Sequence, residues 1–203
     1  MAAAHTISIE TIEPAATSAQ FSPLRLSPID SVFHHSYFHS IFFYNNHDGT
    51  FSNTRLIQTL KHSFSKILSV YYPLAGTFSA SGTTVEFPES PGILFQEARI
   101  NSCLDDILAD HDNLVNTIRV FYPDTDDGMC AVMAGVKATE FECGGIAIAV
   151  GFSHKLMDAS SVGAFMGDWA RVAKGGEIGE LKAPVFIGEL MRRDCCNRCS
   201  VGV

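Results

Sequence analysis

The stretch GGIAIAVGFSHKLMDASSVGAFMGDWARVAKGG, residues 144–176, predicts a strand, a tight turn and a helix in succession. The apolar run at 146–152 follows a glycine pair and is typical of a buried strand. After the break at 153–158, apolar residues recur at helical spacing from about residue 160 until the glycine pair at 175–176 ends the pattern. We therefore expect a strand buried on both faces that leads directly into a turn and a long helix.

The predicted turn carries a histidine and an aspartate four residues apart, His154 and Asp158. An imidazole held at the tip of a rigid strand is accessible to a substrate and titrates near neutral pH, which suits a general base. The same spacing also arises by chance, and Asp158 can instead cap the helix by accepting from the N–H of Ser160 or Ser161. On spacing alone, both interpretations stay open.

Composition and charge narrow the classes of function. Of the 203 residues, 46% are hydrophobic and 18% are charged, and the formal net charge is −8. Because no cluster of Lys and Arg appears, we expect no nucleic-acid partner. No run approaches eighteen apolar residues, and the first ten residues lack the basic and apolar regions of a signal peptide. We therefore expect no membrane association and a cytoplasmic location.

The six cysteines are expected to be reduced in that compartment. Cys143 lies just before the glycine pair and is interpreted as a small core residue. Cys195, Cys196 and Cys199 crowd the last nine residues, with one CxxC and no second pair. A zinc site typically uses two such pairs, so no metal is expected and a disordered tail is the preferred interpretation.

A cluster of three histidines, His34, His35 and His39, also suggests a metal site. His35 and His39 would share one face of a helix, but no glutamate completes an HExxH pattern. The segment moreover favours a loop leading into a strand. We therefore expect no metal ion and interpret these residues as turn and strand-edge histidines.

The order of the predicted elements favours an α+β fold, a mixed β-sheet with helices in a sandwich. No GxGxxG follows a strand, and neither GxxxxGK[ST] nor GxSxG occurs, which argues against dinucleotide, nucleoside triphosphate and serine hydrolase sites. Strands are predicted at 6–12, 39–45, 93–98, 130–141 and 145–152, and a hairpin at 77–87. A short helix is predicted at 104–109, and long helices at 54–70, with Asn53 as its cap, and from residue 160. The segment 111–127 is predicted to be rich in turns.

Four separated stretches resemble the plant BAHD family of acyl-CoA-dependent acyltransferases. SHKLMD at 153–158 is similar to the HxxxD motif of that family, and FECGGIAIAVGFSH from Phe141 is similar to the run that leads into it. YYPLAGTF at 71–78 is similar to the PLAG stretch that ends a helix, and LSPIDSVFHHSYFHSIFFY at 26–44 to the early LSxxD segment. The order and distances also match, and the resemblance covers about residues 5–188.

The resemblance implies one of two domains of a chloramphenicol-acetyltransferase-like sandwich. It implies transfer of an acyl group from an acyl-CoA co-substrate to an alcohol or amine of a plant specialised metabolite, with no bound cofactor. His154 would be the general base, and Asp158 would be structural, holding the local geometry through an ion pair. In the segment 32–37, His35 and Tyr37 are the candidates for lining the acceptor pocket.

The sequence departs from the family pattern at its C-terminal end. Family members are considerably longer, and their second domain carries a DFGWG motif that is absent here. We expect residues 1–188 to form the N-terminal acyltransferase domain, and residues 189–203 to be a Cys-rich tail unlike the family. The alternative function is a truncated, catalytically inactive fragment that folds alone or associates with a second domain or a full-length relative.

Overall fold

The computed structural model describes residues 4–15, 21–32, 36–124, 133–182 and 184. Over these ranges the strands are β1 (Ala4–Ile12), β2 (Leu24–Arg25), β3 (Tyr37–Tyr44), β4 (Thr77–Phe78), β5 (Thr84–Glu86), β6 (Ile93–Ile100), β7 (Ala134–Phe141) and β8 (Ile146–Ser153). The α-helices of the same ranges are α1 (Pro28–Val32), α2 (Asn53–Leu68), α3 (Leu104–Ala109), α4 (Leu114–Ile118) and α5 (Ala159–Ala173). None of these described helices is both long enough and apolar enough to cross a membrane.

Five of the strands form one mixed sheet in the order β1-β6-β7-β8-β3. Strands β6 and β7 run parallel, and the other neighbouring pairs are antiparallel. Strands β2, β5 and β4 form a second, smaller antiparallel sheet. This arrangement confirms the predicted α+β class with a mixed sheet.

Strand β8 is buried along its whole length, as its apolar sequence predicts. Side chains of a strand alternate between the two faces of the sheet. Ile148 and Val150 therefore enter the main core, whereas Ala147 and Ala149 belong to a smaller cluster on the opposite face. The predicted burial of this strand on both faces is confirmed.

The main core lies between one face of the sheet and helices α2 and α5. The rings of Phe64 and Phe165 are fully buried, with centroids 5.5 Å apart. The Trp169 ring packs edge-on against Phe64 at 4.8 Å, and its Nε1–H donates to the hydroxyl oxygen of Ser63 at 2.9 Å. The indole therefore buries its apolar surface while its one polar group keeps a partner.

Two local predictions differ from the structure. The segment predicted to be turn-rich contains α4 and a 3-10 turn at Arg119–Phe121, which help to cover the second face of the sheet. A helix of five residues is too short to show a 3.6-residue periodicity. At the start of α2 the cap is Ser52, whose hydroxyl accepts from the N–H of Arg55. Asn53 instead donates its side-chain amide to the carbonyl of Gly144 at 3.1 Å.

The end of α2 is tied to α5 by a tyrosine. The Tyr71 hydroxyl donates to Oδ2 of Asp168 at 2.8 Å. Burial, and then the bond to the Asp168 carboxylate, raise the pKa of Tyr71 to about 12. Because this pKa lies above the ordinary value of 10.0, the linked stability is complete below pH 10 and is lost as the pH rises toward 12.

Replacement of Tyr71 by phenylalanine should cost about 1–2 kcal/mol of unfolding free energy at pH 8, because a hydrogen bond to a carboxylate is lost. The difference in unfolding free energy between the two proteins should become smaller at pH 11. Only the wild type has a phenol at this position, and its folded state keeps that phenol protonated at a cost that grows with pH. Urea unfolding at the two pH values measures both quantities, with Tyr44→Phe on the exposed end of β3 as the control. A difference that does not change with pH would contradict the assignment.

Helix α5 begins at a capped turn. Asp158 has extended backbone angles, and its Oδ1 accepts from the N–H of Ser161 at 2.7 Å. Hydrogen bonds from the hydroxyl and then the N–H of Ser161 lower the pKa of Asp158. The interpretation of Asp158 as a helix cap is confirmed.

Asp158→Ala should destabilise the protein by about 1 kcal/mol at pH 7, whereas Asp158→Asn should cost only a few tenths, because asparagine is an equally good cap. The advantage of the wild type over Asp158→Ala should fall as the pH drops below the ordinary value of 3.8, since the folded carboxylate has the lower pKa. Thermal or urea unfolding of the three proteins tests this. Equal losses in the alanine and asparagine variants would show that the cap is not the stabilising interaction.

Candidate active site

His154 is the first residue after β8, and hydrogen bonds hold the backbone on both sides of it. Its N–H donates to the carbonyl of Ser36 at 2.8 Å, which continues the pairing with β3 past the strand end. The N–H of the preceding Ser153 donates to the carbonyl of Met133, next to β7, at 2.9 Å. The imidazole is therefore carried by backbone that is fixed from two neighbouring strands.

The turn that follows is held by backbone hydrogen bonds and by two buried side chains. The carbonyl of Ser153 accepts from the N–H groups of Leu156 and Met157, each at 3.0 Å. Lys155 and Met157 are buried, and the Lys155 Nζ lies 5.1 Å from the centroid of the Phe78 ring. His154, like Leu156, is half-buried. The turn thus leaves the imidazole partly open.

An aromatic ring packs directly against this imidazole. The centroids of Phe38 and His154 are 3.9 Å apart, with 31° between the planes. The Nδ1 atom of His154 is buried, and the residue as a whole is half-buried. Phe38 restricts the ring orientation, and sequence reasoning missed it. The contact could be predicted from the β3–β8 register, in which Phe38 pairs with Phe152. Phe152 lies two residues before His154, on the same side of the strand.

The predicted site residues occupy different places. His154 and Asp158 stand at the two ends of one turn. Tyr37 pairs with Ser153, but strand alternation puts its side chain on the other face, where its ring lies 6.2 Å from that of His39. His35 lies outside the described residues, as does His34. Phe38, rather than Tyr37, contacts the imidazole.

The third histidine of the predicted cluster, His39, has a packing role. It lies on the edge strand β3, and its ring stacks on Tyr122 at 4.2 Å with only 8° between the planes. A Cβ placed on Gly151 would meet this ring at 3.0 Å, so glycine gives the ring its room. Burial lowers the pKa of His39. The strand-edge interpretation is confirmed for this residue, and the described ranges contain no group of three His, Cys, Asp or Glu that could hold a metal ion.

The arrangement has the elements needed for proton transfer. The bonds from Ser161 are the main cause of the lowered pKa of Asp158, and Coulomb attraction to His154 acts in the same direction. A half-buried imidazole on fixed backbone at a strand end suits a general base.

Comparisons with known proteins agree with this fold. A family model described as Transferase family matches residues 2–194. The chain is 34% identical to 17,18-epoxy-17-hydroxycur-19-ene N-malonyltransferase of Strychnos nux-vomica, over 83% of this chain and 36% of that protein. It is 33% identical to deacetylvindoline O-acetyltransferase of Catharanthus roseus, over 83% of this chain and 38% of that protein. The chain thus spans less than half the length of the curated relatives it matches.

Solved structures show the same architecture. The crystal structure of vinorine synthase aligns with a TM-score of 0.75 and 28% identity, over 90% of this chain and 45% of that chain. F. sporotrichioides TRI101 complexed with coenzyme A and T-2 aligns with a TM-score of 0.54 over 77% of this chain and 42% of that chain, and at 14% identity this likeness concerns the fold alone. With the fold of vinorine synthase and a family model matched along nearly its whole length, the chain belongs to the Transferase family, the plant BAHD acyltransferases.

Proposed function

We propose that His154 is the general base in the transfer of an acyl group from acyl-CoA to an alcohol or amine of a plant specialised metabolite. The observation that carries the proposal is an imidazole on fixed backbone at a strand end, packed against the Phe38 ring, with Nδ1 buried. The names of two relatives, an O-acetyltransferase and an N-malonyltransferase, support a hydroxyl or amine acceptor and a small acyl group.

In the proposed reaction His154 moves one proton and forms no covalent bond. Nε2 accepts the proton of the attacking hydroxyl or amine while its oxygen or nitrogen bonds to the thioester carbonyl carbon. The tetrahedral intermediate then collapses, the carbon–sulfur bond breaks, and the imidazolium returns the proton to the leaving thiolate. Asp158 has a structural role, because it caps α5 and so holds the turn that carries His154.

We further propose that residues 1–188 act as the N-terminal acyltransferase domain and that His35 and Tyr37 line the acceptor side. A base alone does not position a thioester, and positioning lowers the barrier by several kcal/mol. Catalysis therefore also requires an acyl-CoA site, built by this chain itself or together with a partner. The alternative is a truncated, catalytically inactive fragment that folds alone or associates with a second domain or a full-length relative.

Replacement of His154 by alanine should lower kcat by roughly 10²–10⁴-fold, because the proton acceptor is lost. The assay supplies acetyl-CoA or malonyl-CoA with a panel of alcohols and amines, and quantifies free CoA by chromatography. The matched control is His62→Ala, since His62 is an exposed histidine of α2. It should keep the wild-type rate.

Circular dichroism and urea unfolding of each protein show whether the variant has kept its fold. A folded wild-type chain without turnover would favour the inactive fragment, and pull-down with a full-length relative would then test association. A folded His154→Ala variant with the wild-type rate would exclude His154 as the general base.

Phe38 is expected to act as a positioning residue. Phe38→Ala should lower kcat by roughly 10–10²-fold with a smaller change in KM, because the imidazole loses the surface that orients it. Phe38→Tyr keeps an aromatic ring and should retain most of the activity. A change confined to KM would instead indicate a contact with substrate.

A further inference from the structure

Two cysteines meet at the end of β8 opposite to His154. Cys103 precedes α3, and Cys143 lies in the turn between β7 and β8. Both thiols are free and half-buried, and each thiol contributes to the pKa shift of the other. A strand of eight residues is about 25 Å long, so this pair is remote from the candidate active site.

Backbone hydrogen bonds fix the two segments against each other. The N–H of Leu104 donates to Sγ of Cys143 at 3.4 Å, and the N–H of Glu142 donates to the carbonyl of Ser102 at 3.2 Å. Each cysteine therefore sits beside a residue that is bonded to the opposite segment. The fold therefore places Sγ of Cys143 beside the backbone of Leu104, the residue that follows Cys103.

The two thiols differ in their tendency to ionise. Burial opposes ionisation of Cys143, but hydrogen bonds from the N–H groups of Leu104 and Gly145 outweigh it and lower the pKa of this thiol. Burial, the bond to Cys143 and the negative charges of Asp106 and Glu142 raise the pKa of Cys103. Cys143 is thus the better nucleophile, and Cys103 stays protonated beside it.

An open cavity of about 540 Å³ reaches Cys103 and extends to Glu142, the residue before Cys143. Cys103 and Glu142 line it, together with the carboxylates of Asp106 and Asp110. A cavity with this acidic lining repels anions, attracts cations and leaves neutral molecules unaffected. Charge therefore selects among the oxidants that enter the cavity.

We propose that Cys103 and Cys143 form a redox-active dithiol that small neutral or cationic oxidants convert into an intrachain disulfide. With hydrogen peroxide, the Cys143 thiolate attacks oxygen and becomes a sulfenic acid as hydroxide leaves. The Cys103 sulfur then attacks the Cys143 sulfur and water leaves. In total, two thiols and one peroxide give one disulfide and two waters, so the sulfurs are oxidised and the peroxide is reduced. This inference does not depend on the proposed acyl transfer.

Cleavage by trypsin separates the relevant cysteines. Cys103 falls in the peptide 100–119, Cys130 in 120–137 and Cys143 in 138–155. The full chain is treated with hydrogen peroxide or with cystamine, a cationic disulfide, and the remaining thiols are alkylated before digestion and mass spectrometry. We expect a cross-linked species of peptides 100–119 and 138–155 that has lost two hydrogens, while Cys130 stays mostly alkylated.

Matched variants test each part of the proposal. Cys130→Ser should form the cross-link as the wild type does. In Cys103→Ser the resolving thiol is absent, so Cys143 should accumulate as a sulfenic acid that dimedone traps after peroxide treatment. Cystamine should form the cross-link at least several-fold faster than glutathione disulfide, which is anionic. Asp106→Asn removes one negative charge from the cavity and should reduce the ratio of these two rates.

Three outcomes would overturn the proposal. Full alkylation of Cys103 and Cys143 after oxidation would show that the pair does not react. If cross-links of Cys103 or Cys143 to Cys130 formed in the same yield as the Cys103–Cys143 cross-link, the fold would not select the pair that reacts. Equal rates with cystamine and glutathione disulfide would remove the selection by charge. Each readout is independent of catalysis.

Discussion

Strand β8 can be buried on both faces only because its backbone polar groups are paired with β7 on one side and β3 on the other. An unpaired N–H or C=O at this depth would cost about 1–3 kcal/mol. The two ladders continue past the strand through the N–H groups of Ser153 and His154. The position of the imidazole is therefore set by a strand that is paired on both sides.

The same strand connects the two places to which we assign chemistry. At one end the chain leaves the sheet at His154 and enters the turn capped by Asp158. At the other end the turn that carries Cys143 is held from α2 by Asn53 and from the start of α3 by the N–H of Leu104. Both ends are short, hydrogen-bonded turns, and each leaves one reactive side chain partly open.

Local features of the sequence predicted the parts of the site that are local in the chain. The apolar run of β8, the cap at Asp158 and the motif around His154 each lie within a few residues, so pattern and spacing suffice. Phe38 packs against a residue more than one hundred positions later, and only the β3–β8 register brings the two together. Cys143 packs against the smaller hydrophobic cluster, as its interpretation as a core residue predicts, but its proximity to Cys103 depends on where α3 packs.

The start of α2 shows why neighbouring polar residues are hard to assign. Ser52 and Asn53 are both good caps by residue type. The structure uses Ser52, because the amide of Asn53 donates to Gly144 across the fold. The partner of Asn53, Gly144, lies 91 residues away along the chain. Sequence spacing therefore does not reveal which of the two residues caps the helix. The missed helix α4 has another reason, since five residues carry too little periodicity.

The pairing of β3 with β8 also sets the order in which the chain can fold. Tyr37 pairs with Ser153, so β3 has no sheet neighbour until the ribosome has made most of the described chain. At about 5–20 residues per second, that interval lasts roughly 5–25 s. During it the aromatic strand YFHSIFFY is available to chaperones and to other nascent chains. The strand that later supports the imidazole is thus the segment whose burial is longest delayed during synthesis.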